Sequence, residues 1–221
     1  EPKPEPKVEP KPAPKPAASA AAKDANSGLV PLPIELPKPL DIGTPKNIPL
    51  TAHIKDKYDP DWSRPPFKAP AGCVNVARGK PVKASDGDAV IGQPDMVTDG
   101  DKRGGSDTYV ELGLGVQWVQ IDLQTALPIS AILLWHEHHQ QAVYYDVVVQ
   151  VADDKDFIEN VRTIFNNDHD NSAGLGLGED WGYFETNQGK LIDAKGVKAR
   201  YVRLYSNGNT SDELNRYTEV E

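Results

Sequence analysis

Proline is distributed very unevenly along this chain of 221 residues. Of the 20 prolines, 17 lie in the first 70 residues, and only Pro81, Pro94 and Pro128 follow. Proline fixes the backbone φ angle and has no amide hydrogen to donate, so neither a helix nor a central strand forms where it recurs. The first third of the chain therefore cannot be an ordinary packed domain, and we expect one domain over residues 74–221.

The first 28 residues are expected to be a linker. Residues 1–16 alternate proline with lysine or glutamate, a pattern that favours an extended polyproline II spacer of about 50 Å. Residues 17–28 are rich in alanine and serine and predict a softer hinge.

Residues 29–73 differ from the linker because apolar side chains stand between the prolines. The clearest examples are Leu32, Ile34, Leu36 and Leu40. Each would gain about 1.5–3 kcal/mol on burial, which a solvated tether would forgo. We therefore predict an extended docking arm, whose target is either the chain's own domain or another protein subunit; a plain tether is the least favoured alternative.

Charge argues against two classes of ligand. Residues 1–23 hold five lysines and three glutamates, a charge of +2, so the net charge of −9 leaves −11 for the remainder. An acidic domain repels the phosphates of nucleic acids and anionic membrane surfaces. The longest apolar run, residues 131–135, is far shorter than the roughly 18 residues that a span requires, so we expect no membrane-spanning segment.

Cysteine usage and the first residue bear on the compartment. Cys73 is the only cysteine, so it is either a free thiol at the domain edge or paired with another chain. The sequence begins at Glu1 rather than Met, and we expect any signal peptide to have been removed. We predict a secreted protein, extracellular, at the cell surface or periplasmic.

From residue 74 onward, short apolar runs with a period of two are separated by Gly, Asp and Asn. Residues 119–123 and 145–151 alternate most clearly, with Tyr145, Val147, Val149 and Val151 expected on one buried face. The only helical piece expected is a turn or two within residues 154–160. Many short strands with almost no helix predict an all-β fold, an antiparallel β-sandwich or jelly roll.

Five short segments give a more specific indication: residues 75–82, 97–101, 118–123, 200–205 and 218–221. In this order they resemble the discoidin domains, a family that includes coagulation-factor C domains and bacterial, galactose-binding-like carbohydrate-binding modules. The resemblance covers about residues 74–221 and implies an eight-stranded jelly roll that binds ligands through loops at one end without being catalytic. The terminal cysteine pair of animal members is absent here.

An acidic loop is the first candidate site. Residues 99–108 combine carboxylates, hydroxyls and glycines, the hard oxygen ligands and tight backbone that calcium requires. The resemblance implies a structural Ca²⁺, with Asp99, Asp101, Thr108 and Glu219 as the candidate ligands. The alternative is a solvated acidic turn.

A histidine-rich stretch is the second candidate site. On a strand His136 and His138 would point the same way, which allows a two-histidine metal site but supplies no third ligand for a catalytic zinc. The resemblance implies instead a ligand-facing loop, in which His136, Glu137 and His138 hydrogen-bond sugar hydroxyls. A plain polar loop is the remaining alternative.

A long loop over residues 166–188 is the third candidate site. It places Trp181 and Tyr183 near several Asn and Asp residues, the combination with which proteins stack on a sugar ring and satisfy its hydroxyls. Trp181 could equally be a lid over the end of the barrel. Its glycines do not form a phosphate loop, because no Lys-Ser or Lys-Thr follows them.

Three functional classes are weighed. The favoured one is a non-catalytic module that binds a glycan or another cell-surface ligand. The second is a structural or accessory subunit of an extracellular assembly, docked through the proline-rich arm. An enzyme is the least favoured, because no nucleophile motif, catalytic carboxylate pair or three-ligand zinc set is present.

Overall fold

The computed structural model describes residues 28–39, 48, 53–55, 59, 61–140 and 142–221. In these residues the regular structure consists of nine strands and one short 3₁₀ helix, Pro94–Thr98. The strands are β1 Leu29–Pro31, β2 Lys68–Pro70, β3 Val82–Ala84, β4 Val110–Leu112, β5 Gln117–His136, β6 Val148–Ala152, β7 Arg162–Asn166, β8 Lys190–Ser206 and β9 Asn215–Val220. None of the described helical structure has the length and hydrophobicity needed to cross a membrane.

Every pairing among these nine strands is antiparallel. β1 and β2 form a two-stranded sheet, while the other seven strands form a ladder in the order β4-β9-β5-β8-β6-β7, with β3 also pairing with β5. The long strands β5 and β8 pair along most of their length, with register shifts between Asp122 and Leu127 and between Ile129 and Ala131. β5 pairs with β3 near its start and with β9 at its end, so one strand serves two parts of the sandwich.

The hydrophobic core lies between the faces of this folded ladder. It draws on both halves of β5, through Val119 and Ile132, and on β6, β8 and β9 through Val149, Leu204 and Tyr217. All of these side chains are buried. The prediction of an all-β antiparallel sandwich is therefore confirmed.

The predicted alternation is wrong at the start of residues 145–151. Tyr145, expected on the buried face, is 43% exposed, whereas its neighbour Tyr144 is buried in the core. Asp146 has a left-handed backbone (φ 51°), which interrupts the pleat, so β6 begins only at Val148. Every residue of β6 is buried, because β7 and β8 flank this strand and both of its faces are covered.

The helical turn expected within residues 154–160 is also wrong. The carboxylate of Asp154 accepts hydrogen bonds from the amides of Asp156, Ile158 and Glu159 and holds a turn. Left-handed φ angles at Phe157 and Asn160 prevent helical continuation.

The described part of the arm lies against the sandwich. The amide of Leu32 donates to the carbonyl of Phe67 at 2.8 Å, extending the pairing of β1 with β2. Leu32 and Ile34 are half-buried, whereas Leu36 is 46% exposed. Leu40 lies outside the described residues.

Side chains of the sandwich hold the arm through its backbone carbonyls. Lys102 donates to the carbonyl of Glu35 and Asn187 to that of Pro37, each at 2.8 Å. The side chain of Gln188 donates to the carbonyl of Trp62 at 2.6 Å. These three hydrogen bonds are accepted by backbone carbonyls of the arm. They therefore hold the arm without depending on which side chains stand at those arm positions.

Candidate functional site

A cavity of about 310 Å³ opens where three loops of the sandwich meet. Val148 pairs with both Asn166 and Tyr205, so the start of β6 and the ends of β7 and β8 lie side by side. The loops attached there supply polar and aromatic lining residues, and the arm segment 53–55 adds a further wall. The lining includes Tyr145, Asp146, Asn167, His169, Asp170 and Asn207.

Three carboxylates lie together beside this cavity. Oxygen atoms of Asp146, Asp168 and Asp170 fall within 4.8 Å of one another, and Asp168 is fully buried. Ser172 compensates them, because its hydroxyl donates to Asp146 at 2.6 Å and its amide donates to Asp168 and Asp170 at 3.1 and 3.0 Å. Asn207 also donates to Asp146, at 2.8 Å.

Hydrogen bonding favours the charged form of Asp170. The side chain and amide of Ser172 lower the pKa of Asp170 below its ordinary value. No Lys or Arg is among the described residues that line the cavity. The cavity therefore presents charged hydrogen-bond acceptors to a ligand.

Aromatic rings form the rim of the cavity. His169 stacks on His53 with 3.8 Å between ring centroids, and Trp181 lies 6.4 Å from His169 in a tilted arrangement. Trp181 is 49% exposed and Tyr145 43% exposed. Half-exposed rings beside amide and carboxylate groups are suited to stacking on the apolar face of a sugar ring.

The predicted ligand residues His136 and His138 lie in the interior. His136 is fully buried, stacks on Tyr144 at 4.1 Å and is 2.6 Å from the carboxylate of Glu185 through its Nδ1. His138 is buried beneath Gly104, and its Nε2 bonds to the carbonyl of Lys102 at 2.9 Å. Neither side chain is open to a ligand, and the expectation of a sugar-contacting histidine loop does not agree with this placement.

The three other predicted ligand residues differ in position. Glu137 is half-buried and accepts the amides of His139 and Gln140, so it caps its own loop, and burial raises its pKa. Tyr183 packs edge-on against Phe165. Its pKa is raised well above the ordinary value, mainly by burial and secondly by the charge of Glu185. Trp181 alone stands beside the cavity, so its role in ligand binding stays a prediction.

The four predicted calcium ligands are only partly brought together. The carboxylate of Asp101 is held by Arg103 at 2.7–3.0 Å, and the hydroxyl of Thr108 donates to the carbonyl of Gly105. Glu219 does face the loop, because its Oε2 accepts the amide of Gly100 at 3.0 Å. Asp99 is exposed and close enough to Glu219 to perturb its titration.

Glu219 has the features of a cation ligand. Its side chain is buried, and its Oε1 has no hydrogen-bond partner among the described residues. Burial, reinforced by the charges of Glu221 and Asp99, raises its pKa to about 8. Of the predicted set, Asp101 and Thr108 are engaged elsewhere and one oxygen of Asp99 accepts the amide of Asp101 at 2.7 Å, so only Glu219 offers a buried oxygen without a partner among the described residues.

Sequence reasoning missed several residues around the cavity. Asp146, Asn207 and Ser172 come from separate loops, and their shared location follows from the register of β6, β7 and β8. Only the richness of residues 166–172 in Asn and Asp signalled this region. His53 lies in the arm, and nothing in its local sequence indicates where it packs.

Comparison with known proteins gives structural neighbours only. No protein-family model and no curated protein matches the chain. Among solved structures, the CBM32 module of AlyQ in complex with 4,5-unsaturated mannuronic acid matches with 17% identity and a TM-score of 0.46, over 63% of this chain and 91% of that one. Chitosan-binding module 1 of a Paenibacillus sp. IK-5 chitosanase/glucanase matches with 19% identity and a TM-score of 0.44, over 67% and 98%.

A third neighbour is a pectin-binding carbohydrate-binding module, with 19% identity and a TM-score of 0.47 over 66% of this chain and 90% of that one. A family 89 glycoside hydrolase from Clostridium perfringens matches over only 14% of its own length.

Proposed function

We propose that this chain is a non-catalytic glycan-binding module whose ligand site is the cavity between the loops that follow β5, β7 and β8. The observation that carries the proposal is the cavity's composition. Half-exposed Tyr145 lines a space that Asn and Asp side chains also line, and half-exposed Trp181 lies next to it, 6.4 Å from the cavity residue His169. Its volume of about 310 Å³ is near the lower end of ligand pockets, of about 300–1,000 Å³, and suits a ligand of one or two sugar rings.

The carboxylates beside the cavity favour binding over hydrolysis. A glycoside hydrolase needs one carboxyl with a raised pKa as proton donor and a second group about 5–9.5 Å away. Here the pKa of Asp170 is lowered, and the neighbouring carboxylates cluster within 4.8 Å and are engaged with Ser172. They are therefore suited to accept hydrogen bonds from sugar hydroxyls. A module of this kind acts outside the cytoplasm, in agreement with the secreted setting expected from the sequence.

A glycan array with the full chain tests this proposal. Trp181→Ala should weaken binding about tenfold, or about 1.4 kcal/mol, because a stacking surface is lost. Trp62→Ala is the matched control, since Trp62 is 50% exposed on the arm, whereas Trp181 lies 6.4 Å from the cavity residue His169. Failure of the wild-type chain to bind any glycan, or equal losses in the two variants, would contradict the proposal.

We also propose a structural calcium ion held by Glu219 and Asp99. The buried Glu219 Oε1 without a partner among the described residues supports it. An ion saturated with oxygen ligands would fix the Gly100 loop and supply no catalytic position.

A second candidate function is association with a protein subunit through the arm. Val30, Leu36 and Trp62 remain 41–50% exposed on the arm. Replacing all three with serine should remove any larger species that the native protein forms in size-exclusion chromatography. An unchanged elution profile would leave the arm without this role.

A further inference from the structure

Residues 53–55 precede the expected domain but pack at its ligand cavity. The His53 ring stacks on His169 with an interplanar angle of 18°, and both rings line the cavity. Ile54 is only 6% exposed. A segment outside the sandwich thus supplies part of the wall of a cavity that the sandwich loops otherwise form.

Backbone contacts fix this segment in place. Ile54 forms a parallel bridge with Gly182, and the amide of Gly182 donates to the carbonyl of His53 at 2.7 Å. A Cβ atom on Gly182 would lie 3.1 Å from the His53 carbonyl oxygen and 3.3 Å from the Ile54 side chain. The absence of a side chain at residue 182 therefore permits the close approach.

The position of Trp181 makes this contact relevant to binding. Gly182 follows Trp181 directly, so the bridge to Ile54 also restrains the loop that carries the exposed ring. The same arm segment also contacts the His169 ring, because the His53 ring covers one face of it. Removing the segment would open the cavity and release both rim residues.

We propose that the arm segment 53–55 completes the ligand site, so that glycan affinity depends on residues that precede the sandwich. This inference rests on the proposed glycan-binding function. It assigns two roles: His53 forms the wall, and Ile54 anchors the wall to the loop of Trp181.

The test compares full-length variants by calorimetric titration with chitotriose and with lactose, a cationic and a neutral probe. His53→Ala and Ile54→Ser should each raise the Kd for a bound probe at least about fivefold. Ile34→Ser is the matched control, because Ile34 is a half-buried arm residue that does not line the cavity, and its Kd should stay within about twofold of wild type. A Kd within about twofold of wild type in both cavity variants would overturn the inference and leave the proposed function standing.

A wild-type chain that binds neither probe would count against the proposed function instead. Hydrogen exchange at the Gly182 amide then decides the inference. Ile54→Ser should speed that exchange at least about tenfold and Ile34→Ser should not, whereas an unchanged rate in Ile54→Ser would show that the segment does not form the wall.

Discussion

Two groups of acidic side chains, the carboxylates beside the cavity and Glu219 at the Gly100 loop, are stabilised differently. Beside the cavity, the amide and hydroxyl of Ser172 and the side chain of Asn207 serve the carboxylates, and the pKa of Asp170 is lowered. At the Gly100 loop, the amide of Gly100 is the single donor to Glu219 among the described residues, and the pKa of Glu219 is raised to about 8. The difference follows first from burial, because Glu219 is buried and loses solvation, whereas Asp170 is exposed and receives hydrogen bonds from Ser172.

This difference separates two uses of acidic side chains. A carboxylate satisfied by the protein's own donors is ready to accept a neutral ligand's hydroxyl groups. A buried carboxylate without enough donors gains most from a cation. The proposed glycan therefore belongs to the first region and the proposed calcium ion to the second. Mutations in the two regions should change the free energy of unfolding in opposite directions.

The largest expected effect is at Asp168. Its carboxylate is fully buried and accepts the amides of Ser172 and Ala173 at 3.1 and 2.8 Å. Asp168→Ala leaves the Ala173 amide without its acceptor and the Ser172 amide with Asp170 alone, and we expect the free energy of unfolding to fall by about 3 kcal/mol in urea denaturation. Asp168→Asn keeps one acceptor oxygen and should lose less. A gain in stability for Asp168→Ala would show that repulsion among the three carboxylates, rather than donor compensation, dominates this region.

Removing the carboxylate of Glu219 should instead raise the free energy of unfolding at high pH. Its folded-state pKa lies above the ordinary value of 4.5, so the folded protein keeps a proton that the unfolded chain loses as pH rises from about 4.5 to 8. The contribution of Glu219 to stability is therefore present at low pH and lost over this interval. In a chelator at pH 8, Glu219→Gln should raise the free energy of unfolding by about 2 kcal/mol, and at pH 4 it should change little.

Added calcium should make the wild-type protein more stable relative to Glu219→Gln, the opposite of the difference expected in a chelator. An ion that binds only the folded state stabilises it by about 2.7 kcal/mol at one hundred times its Kd. Wild-type protein should gain this in thermal melts with Ca²⁺, and Glu219→Gln should not. Equal gains in both proteins would place the ion elsewhere, and no gain in either would remove it.

Sequence patterns predicted the strands well where packing follows local alternation. Residues 119–121 lie within β5, and both Val119 and Ile121 are buried in the core. The pattern failed at Tyr144 and Tyr145 because the left-handed φ of Asp146 reverses which side chain faces inward. Apolar periodicity carries no information about a single backbone angle.

The candidate site was less predictable because distant residues define it. His136 looks like a surface ligand from its polar neighbours, but it is the fully buried last residue of β5. Its ring Nδ1 lies 2.6 Å from the carboxylate of Glu185, in the loop between β7 and β8. Trp181 could be singled out because its own loop is rich in Asn and Asp. The wall supplied by His53 required the packing of the arm, which no local pattern encodes.

The smallest expected effect sharpens the comparison at the cavity itself. Asp146 and Asp170 line the cavity, and no lysine or arginine is among the described residues that line it, so a protonated amine should be favoured over a neutral or anionic sugar. Chitotriose should bind about threefold tighter than its fully N-acetylated form at low salt, and trigalacturonate should bind weakest. The cavity is open to solvent, so the preference should shrink as ionic strength rises above about 0.15 M. Asp170→Asn should reduce the preference without abolishing binding to the acetylated probe, because the amide still accepts a hydrogen bond. A preference that survives both Asp170→Asn and high salt would mean that shape rather than charge selects the ligand, and the acidic side chains would then serve the loop alone.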